Sequence, residues 1–429
     1  MNLYFVIFSV SILFYSSRLF SFTEVGLSPS IYAMTKGEAL TASAPPSEAL
    51  FYNPSHLAWK GVNLEFAAAG YVVDEDHAKQ GKESVKDKKI DSTKLIGDAL
   101  TSGRPTLIKN NLEFLNFVFP YFALKSFANA RLFSRKIVDE NPHQEIDFLA
   151  RFGLTSGLAL SAGHWAFGYS YYLIKQADFL STPNEAQISA INQAVTDGTL
   201  SSSTTNFASF SSMNYGEASG HNFGLTYRSS RDNSSGFGLA VLNAGGTRFR
   251  TGKAIIRGKF EEIEQAAKDE ATKHGLTLGT PKKIDQMVNL GFHLASDEGK
   301  EDYFFASISM DYQDIGGTTL DNRIVMATDF GFRISDNLSL LTSVPIAKHH
   351  GMVYYLGLTS IKFLGAYRVN ESLSGGLDLK LHLGFNKIVS LIRLNLNGMI
   401  IKSLNQQLVP DATGFQIGLG LTFVFPDMS

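Results

Sequence analysis

The chain has 429 residues, 38 of them Lys or Arg and 40 Asp or Glu, and its net charge of −2 leaves no basic stripe for a nucleic-acid partner. Charged residues make up only 18% and aromatics 12%, with 33 Phe, 16 Tyr and 38 Gly, a balance that suits a β protein touching an apolar solvent on one side. The absence of cysteine excludes a disulfide framework, a thiolate metal site and a lipidated N-terminal cysteine.

The first element is the apolar run Leu3–Tyr15, followed by the small residues Ser16, Ser17 and Ser21. It is too short for a comfortable membrane helix and reads as a secretory signal peptide over residues 1–21. Its n-region carries no Lys or Arg, and a buried N-terminal strand or helix is the alternative. Beyond residue 22 no stretch approaches the roughly 18 uninterrupted apolar residues of a membrane helix. The most apolar, Leu112–Leu124, holds Glu113, Asn116 and Pro120, so a helical inner-membrane protein is excluded. A soluble periplasmic β protein and an outer-membrane barrel remain.

Tyr32–Trp59 is too rich in Pro and small residues to be a membrane strand. Pro45-Pro46 blocks ladder hydrogen bonds, Asn53 is suited to an Asx-turn, and Pro54 fixes the direction of the chain. From residue 62 onward the dominant signal is period-two alternation, which places one set of side chains on each face of a sheet. Candidate strands are Val62–Val73, Leu112–Leu124, Phe127–Val138, Ile146–Leu160, His164–Ile174, Asn222–Arg228, Gly236–Gly245 and Asp285–Ala295. They continue with Phe304–Tyr312, Arg323–Ile334, Leu338–Ile346, Met352–Val369 (one strand or two), Leu373–Phe385, Ile388–Ile400 and Gly414–Phe425. In the last of these Phe415, Ile417, Leu419, Leu421, Phe423 and Phe425 share one face. Many runs reach about 9–13 residues, nearer to a tilted membrane strand than to the usual soluble strand of about five or six. Three helix-like inserts interrupt them, near 84–102, 183–198 and 260–274, with disordered loops as the alternative reading of the first two.

Residues 33–59 contain Ala49, Phe51, Tyr52, Asn53, Pro54, Leu57 and Ala58 just before the first strand. This pattern resembles the N-terminal region of the FadL-like superfamily of outer-membrane barrels, with its PorV-type and TraF-like relatives. Ser55 and His56 stand where that pattern usually has Ala-Gly. The Phe304–Ile315 segment followed by Ile324–Ile334 resembles the strand-Asp-Tyr-turn-strand of the PorV branch, and the remainder matches in rhythm only. The resemblance implies that residues 22–61 fold into the lumen as a plug or hatch, with Phe51, Tyr52, Asn53 and Pro54 as plug residues. An ordinary turn into the first strand is the alternative. The final strand, ending at Phe425 before Pro426, resembles the recognition signal of the barrel-insertion machinery.

The sequence shows no nucleophile elbow, phosphate loop or His-Glu-x-x-His, so no catalytic residue, metal ligand or cofactor is expected and the chain does not read as an enzyme. His349-His350 reads as a hairpin turn, because adjacent strand residues point to opposite faces and make poor co-ligands. Trp165 suits an interfacial aromatic girdle, and His382 a structural lumen position. Asp311, Arg323, Asp329, Arg333, Asp378, Lys380 and Arg393 are expected on the lumen face, since a cation facing lipid at midplane costs roughly 2–4 kcal/mol. The expected fold is all-β: a closed antiparallel transmembrane β-barrel of about 14 strands over residues 62–425 with a tail at 426–429, located in the bacterial outer membrane. Outer-membrane lipid and a hydrophobic ligand are the expected partners. The expected function is a conduit for hydrophobic small molecules, or, alternatively, a non-transporting scaffold component of a secretion or conjugation apparatus.

Overall fold

The computed structural model describes residues 25–28, 30–59, 62–74, 106–137, 143–181, 212–229, 235–250, 277–295, 304–317, 323–333, 343–347, 350–368, 372–385, 389–403 and 413–425. The expected signal peptide, the three helix-like inserts and the 426–429 tail lie outside these residues, as does His349. No described helix is long and apolar enough to cross a membrane.

The described strands are β1 Val62–Asp74, β2 Thr106–Phe119, β3 Phe122–Ile137, β4 His143–Ala162, β5 Trp165–Ser181, β6 Ser212–Arg228, β7 Gly236–Leu242 and β8 Thr277–Gly279. They continue as β9 Met287–Ala295, β10 Phe304–Tyr312, β11 Ile324–Arg333, β12 Ser343–Ala347, β13 His350–Arg368, β14 Ser372–Phe385, β15 Val389–Ser403 and β16 Thr413–Phe425. All sixteen belong to one sheet; apart from the short β8, which runs parallel to β6, the pairings are antiparallel. Consecutive strands are neighbours for most of the chain, as hairpin connections dictate. Two long-range pairings complete the order: β1 lies beside β16, with Val62 opposite Phe425, and β11 lies beside β13, with Val325 opposite Arg368. Followed from β11 through β10, β9, β7 to β1, then β16 to β13, the pairings return to β11.

Two sequence expectations are corrected here. Leu112–Leu124 is not one strand but a hairpin, split into β2 and β3 at Pro120-Tyr121. Pro120 has no N–H to donate to a ladder, and Tyr121 takes the left-handed conformation at φ 65° that reverses the chain. Of Met352–Val369, left open as one strand or two, residues 352–368 lie in the single strand β13, which carries one register irregularity between Leu358 and Ser360.

Alternation sets the two faces. On β4, Phe152, Leu154, Leu158 and Leu160 are exposed, while Gly153, Thr155, Gly157 and Ala159 are buried. The extremes are adjacent residues: Leu160 is 74% exposed and Ala159 3%. On β10 and β11, Ile308, Met310, Tyr312, Met326, Phe330 and Phe332 are exposed, and Ser309, Asp311, Val325, Ala327 and Asp329 are buried. On these stretches most of the large apolar side chains therefore face away from the interior, and mostly small or polar ones face inward. That is the inverse of a soluble core. The sheet is also uneven: β3 to β6 have 16 to 20 residues, whereas β9, β10 and β11 have nine or ten.

Candidate functional site

What the inner face buries is the N-terminal segment. Ser30 caps a short helix, α1 (Ile31–Thr35), by accepting from the Ala33 N–H at 3.1 Å. Gly37 and Glu38 both take positive φ and turn the chain sharply. The Glu38 carboxylate then gathers three distant groups: the Val25 N–H at 3.2 Å, the Gly26 N–H at 3.1 Å and the Tyr52 hydroxyl at 3.0 Å. A second short helix, α2 (Ala49–Tyr52), runs into a 3-10 turn over Pro54–Ala58.

Asn53 joins these pieces. Its Oδ1 accepts from the Ser55 N–H at 3.2 Å and the Ser55 hydroxyl at 2.6 Å, the Asx-turn that starts the 3-10 turn with Pro54 at its first position. Its amide donates to the Thr41 carbonyl at 2.7 Å, the Thr226 hydroxyl at 3.2 Å and the Leu225 carbonyl at 3.3 Å, tying the segment to β6. Gly168 on β5 and Gly224 on β6 make this seating possible. A Cβ on the first would strike the Pro54–Ser55 backbone, and one on the second the Asn53 side chain.

Thr41 collects further bonds. Its carbonyl also meets His56 Nε2 at 3.2 Å, while His56 Nδ1 lies 3.2 Å from an Arg228 Nη. A guanidinium can only donate, so Nδ1 accepts and Nε2 carries the proton, which makes His56 neutral. Burial, reinforced by Arg228, holds its pKa well below the ordinary histidine value.

Toward β10 and β11 the segment is held by charge. Lys36 Nζ lies 3.1 Å from Asp329, and Glu38 lies 3.8 Å from Arg323. Burial pulls the Lys36 ammonium down from its ordinary value, and the Asp329 carboxylate opposes that shift. Asp311 accepts from the Thr41 N–H at 2.9 Å, and Gln313 donates to the Glu38 carbonyl at 2.9 Å while accepting from Arg323 Nε at 3.0 Å.

Toward β2 to β6 the attachment is mostly apolar and neutral. Phe51 meets Phe127 edge-on at 5.1 Å between ring centroids. Ser170 and Asn222 donate to the Leu50 carbonyl at 2.9 and 3.1 Å, Asn129 to Leu27 at 2.7 Å, and the Tyr121 N–H to Leu57 at 3.0 Å. Lys125 is the exception: its Nζ reaches Glu113 at 2.9 Å and the Ser47 carbonyl at 3.0 Å, and sits 4.9 Å over the Phe51 ring. On the remaining side α1 lies against β13 to β16. The 3-10 turn rests on β3 to β6. The described residues of this segment thus touch β3 to β6, β10, β11 and β13 to β16. Their apolar members, among them Val25, Leu27, Leu40, Phe51 and Tyr52, form a buried cluster with Phe127, Tyr172, Ile174 and Leu242.

The structure brings Phe51, Tyr52, Asn53 and Pro54 together in this interior and places Asp311, Arg323 and Asp329 against residues 36–41. Arg333, Asp378, Lys380 and Arg393 lie in β11, β14 and β15, but their side chains, like that of His382, fall outside the described residues. Sequence reasoning passed over Lys36, Glu38, His56, Glu113, Lys125 and the seating glycines. Lys36-Gly37-Glu38 stands out in hindsight as the only charged pair in the small-residue stretch before Pro45. Glu113 lies inside the Leu112–Leu124 run and Lys125 directly after it, on the two strands of the hairpin that this run conceals. Trp165 sits at the start of β5 against Tyr227 at 5.1 Å and Phe237 at 5.5 Å. Among the described residues no group of three His, Asp or Glu side chains could hold a metal ion.

No protein-family profile matches the sequence, and no curated protein does. Among solved structures, the chain is similar to a FadL homologue of Pseudomonas aeruginosa, at 12% identity and TM-score 0.45, over 94% of this chain and 100% of that one. It is similar to the Pseudomonas putida toluene transporter TodX, at 10% identity and TM-score 0.43, over 94% and 99%. It is also similar to the monoaromatic hydrocarbon channel CymD, at 11% identity and TM-score 0.42, over 94% and 99%.

Proposed function

We propose that the sheet is a closed barrel in the bacterial outer membrane and that residues 25–59 are its plug, gating a path for hydrophobic small molecules. The observation that carries this reading is the inverted distribution of side chains around an enclosed segment. Leu154, Leu158, Leu160, Phe167 and Phe223 point outward, where only an apolar solvent would favour them, while the interior is filled by a segment whose own apolar residues cluster with the wall. Trp165 with Tyr227 and Phe237 would mark one interface, as amphipathic rings do at headgroup level. An apolar cluster inside the wall offers a permeant a surface it can share once the segment shifts. The N-terminal resemblance points the same way.

The complete enclosure of the segment also favours a second reading, a sealed scaffold that docks other proteins. One experiment separates them. Detergent-extracted protein is analysed for bound apolar compounds by mass spectrometry, and the protein in liposomes is tested for swelling by sugars. A conduit returns a bound apolar compound, and swelling appears when Lys36→Ala loosens the segment. A protein that carries no apolar compound and never swells is the scaffold.

A further inference from the structure

Four cationic side chains are buried among the described residues: Lys36, Lys125, Arg228 and Arg323. Three have a carboxylate within ion-pair distance, namely Lys36 with Asp329 at 3.1 Å, Lys125 with Glu113 at 2.9 Å and Arg323 with Glu38 at 3.8 Å. Arg228 has none. It is 8% exposed, one Nη donates to the neutral His56 ring, and its guanidinium carbon lies 5.0 Å over the Trp59 ring. Its Nε is buried without a hydrogen-bond partner, and so is the Nε1 of Trp59. The other three buried cations among the described residues meet an anion, as burial of charge requires. Here a guanidinium lies over an indole and each holds an unused N–H, at the end of β6 beside the 3-10 turn.

We infer that Arg228 and Trp59 form a binding site for a small carboxylate anion. The charge comes from Arg228, whose planar face is held by the indole and one of whose Nη groups is held by His56. The two spare donors, Arg228 Nε–H and Trp59 Nε1–H, would each give a hydrogen bond to the anion. A carboxylate offers two oxygens for two donors, and the hydrogen bond from the charged guanidinium is of the stronger, charge-assisted kind. The site is independent of whether the barrel conducts, because it needs only the 3-10 turn seated against β6.

Trp59 supplies the reporter. The chain has two tryptophans, so Trp165→Phe leaves Trp59 alone. The full-length variant in detergent is titrated with sodium acetate and sodium benzoate against sodium chloride at constant ionic strength. The expected result is a saturable change in Trp59 emission with the carboxylates and not with chloride, lost in Arg228→Gln. Should Arg228→Gln fail to fold, Arg228→Lys keeps the charge without the Nε fork and is expected to weaken binding at least tenfold. No saturable change in the Trp165→Phe protein overturns the site. So does a change that survives Arg228→Gln, or equal affinity in Arg228→Lys.

Discussion

Along β2 to β6 the N-terminal segment rests mostly on apolar packing, such as Phe51 on Phe127, and on neutral side chains that donate to its carbonyls, with Lys125 beside Glu48 and Glu113 as the charged exception. Along β10 and β11 it is held instead by Lys36–Asp329, Glu38–Arg323 and the carboxylate of Asp311. The charged side lies on the shorter strands, of nine and ten residues, where Ala39 also packs on Val325 and Ala327. Apolar packing is insensitive to which proton is where, whereas a buried ion pair fails as a unit when one partner is lost. The segment thus has one side held mainly by packing and one held mainly by ion pairs.

The sharpest way to break the comparison is Asp329→Leu. It strands Lys36 in the interior, and the expected loss is about 3–5 kcal/mol in urea unfolding of the detergent-solubilised protein. The Lys36→Met/Asp329→Leu pair should recover most of it; failure to recover would mean that the charged side acts through packing. A change on the outward face tests the ground both walls stand on. Leu158→Arg should cost about 2–4 kcal/mol in lipid vesicles if that face meets acyl chains. A cost near zero would remove the membrane reading.

On the neutral side, Asn222→Ala deletes the donor to the Leu50 carbonyl and the acceptor of the Asn243 N–H, both buried. An expected cost of about 1–3 kcal/mol, unchanged by salt, distinguishes it from the charged side. The smallest effect is that of pH on the 3-10 turn. Because the pKa of His56 is lowered in the folded protein, first by burial and then by Arg228, the unfolded chain binds the extra proton. Stability is therefore fully present above the ordinary histidine value and falls as pH drops below about 6.5. Unfolding midpoints at pH 7.5 and 5.5 should differ less in His56→Gln than in the parent; an equal difference would clear His56 of the effect.

Much of the wall was legible before any coordinates. Alternation assigned Phe304–Tyr312 to a strand with the bounds of β10, and it separated Ile308 and Met310 from Ser309 and Asp311 because period two is a property of the strand itself. The β2–β3 hairpin is hard to read because its turn is only two residues, Pro120-Tyr121, set between apolar residues on both sides. Asn53-Pro54 was legible as a turn, since an Asx-turn depends on residues two apart. Its contacts with Leu225 and Thr226 were not, nor were the roles of Gly168 and Gly224, which are empty space until another part of the chain needs it.

The sequence by itself determined that this is an all-β chain of long alternating strands preceded by a proline-rich segment that cannot join them. Those are local consequences of side-chain period and backbone chemistry. Only the tertiary structure decided that the segment packs on the inner face of the sheet, that Lys36 finds Asp329 and Glu38 finds Arg323, and that Arg228 meets no acid among the described residues. Such pairings join residues hundreds of positions apart, which no local pattern of side chains can specify.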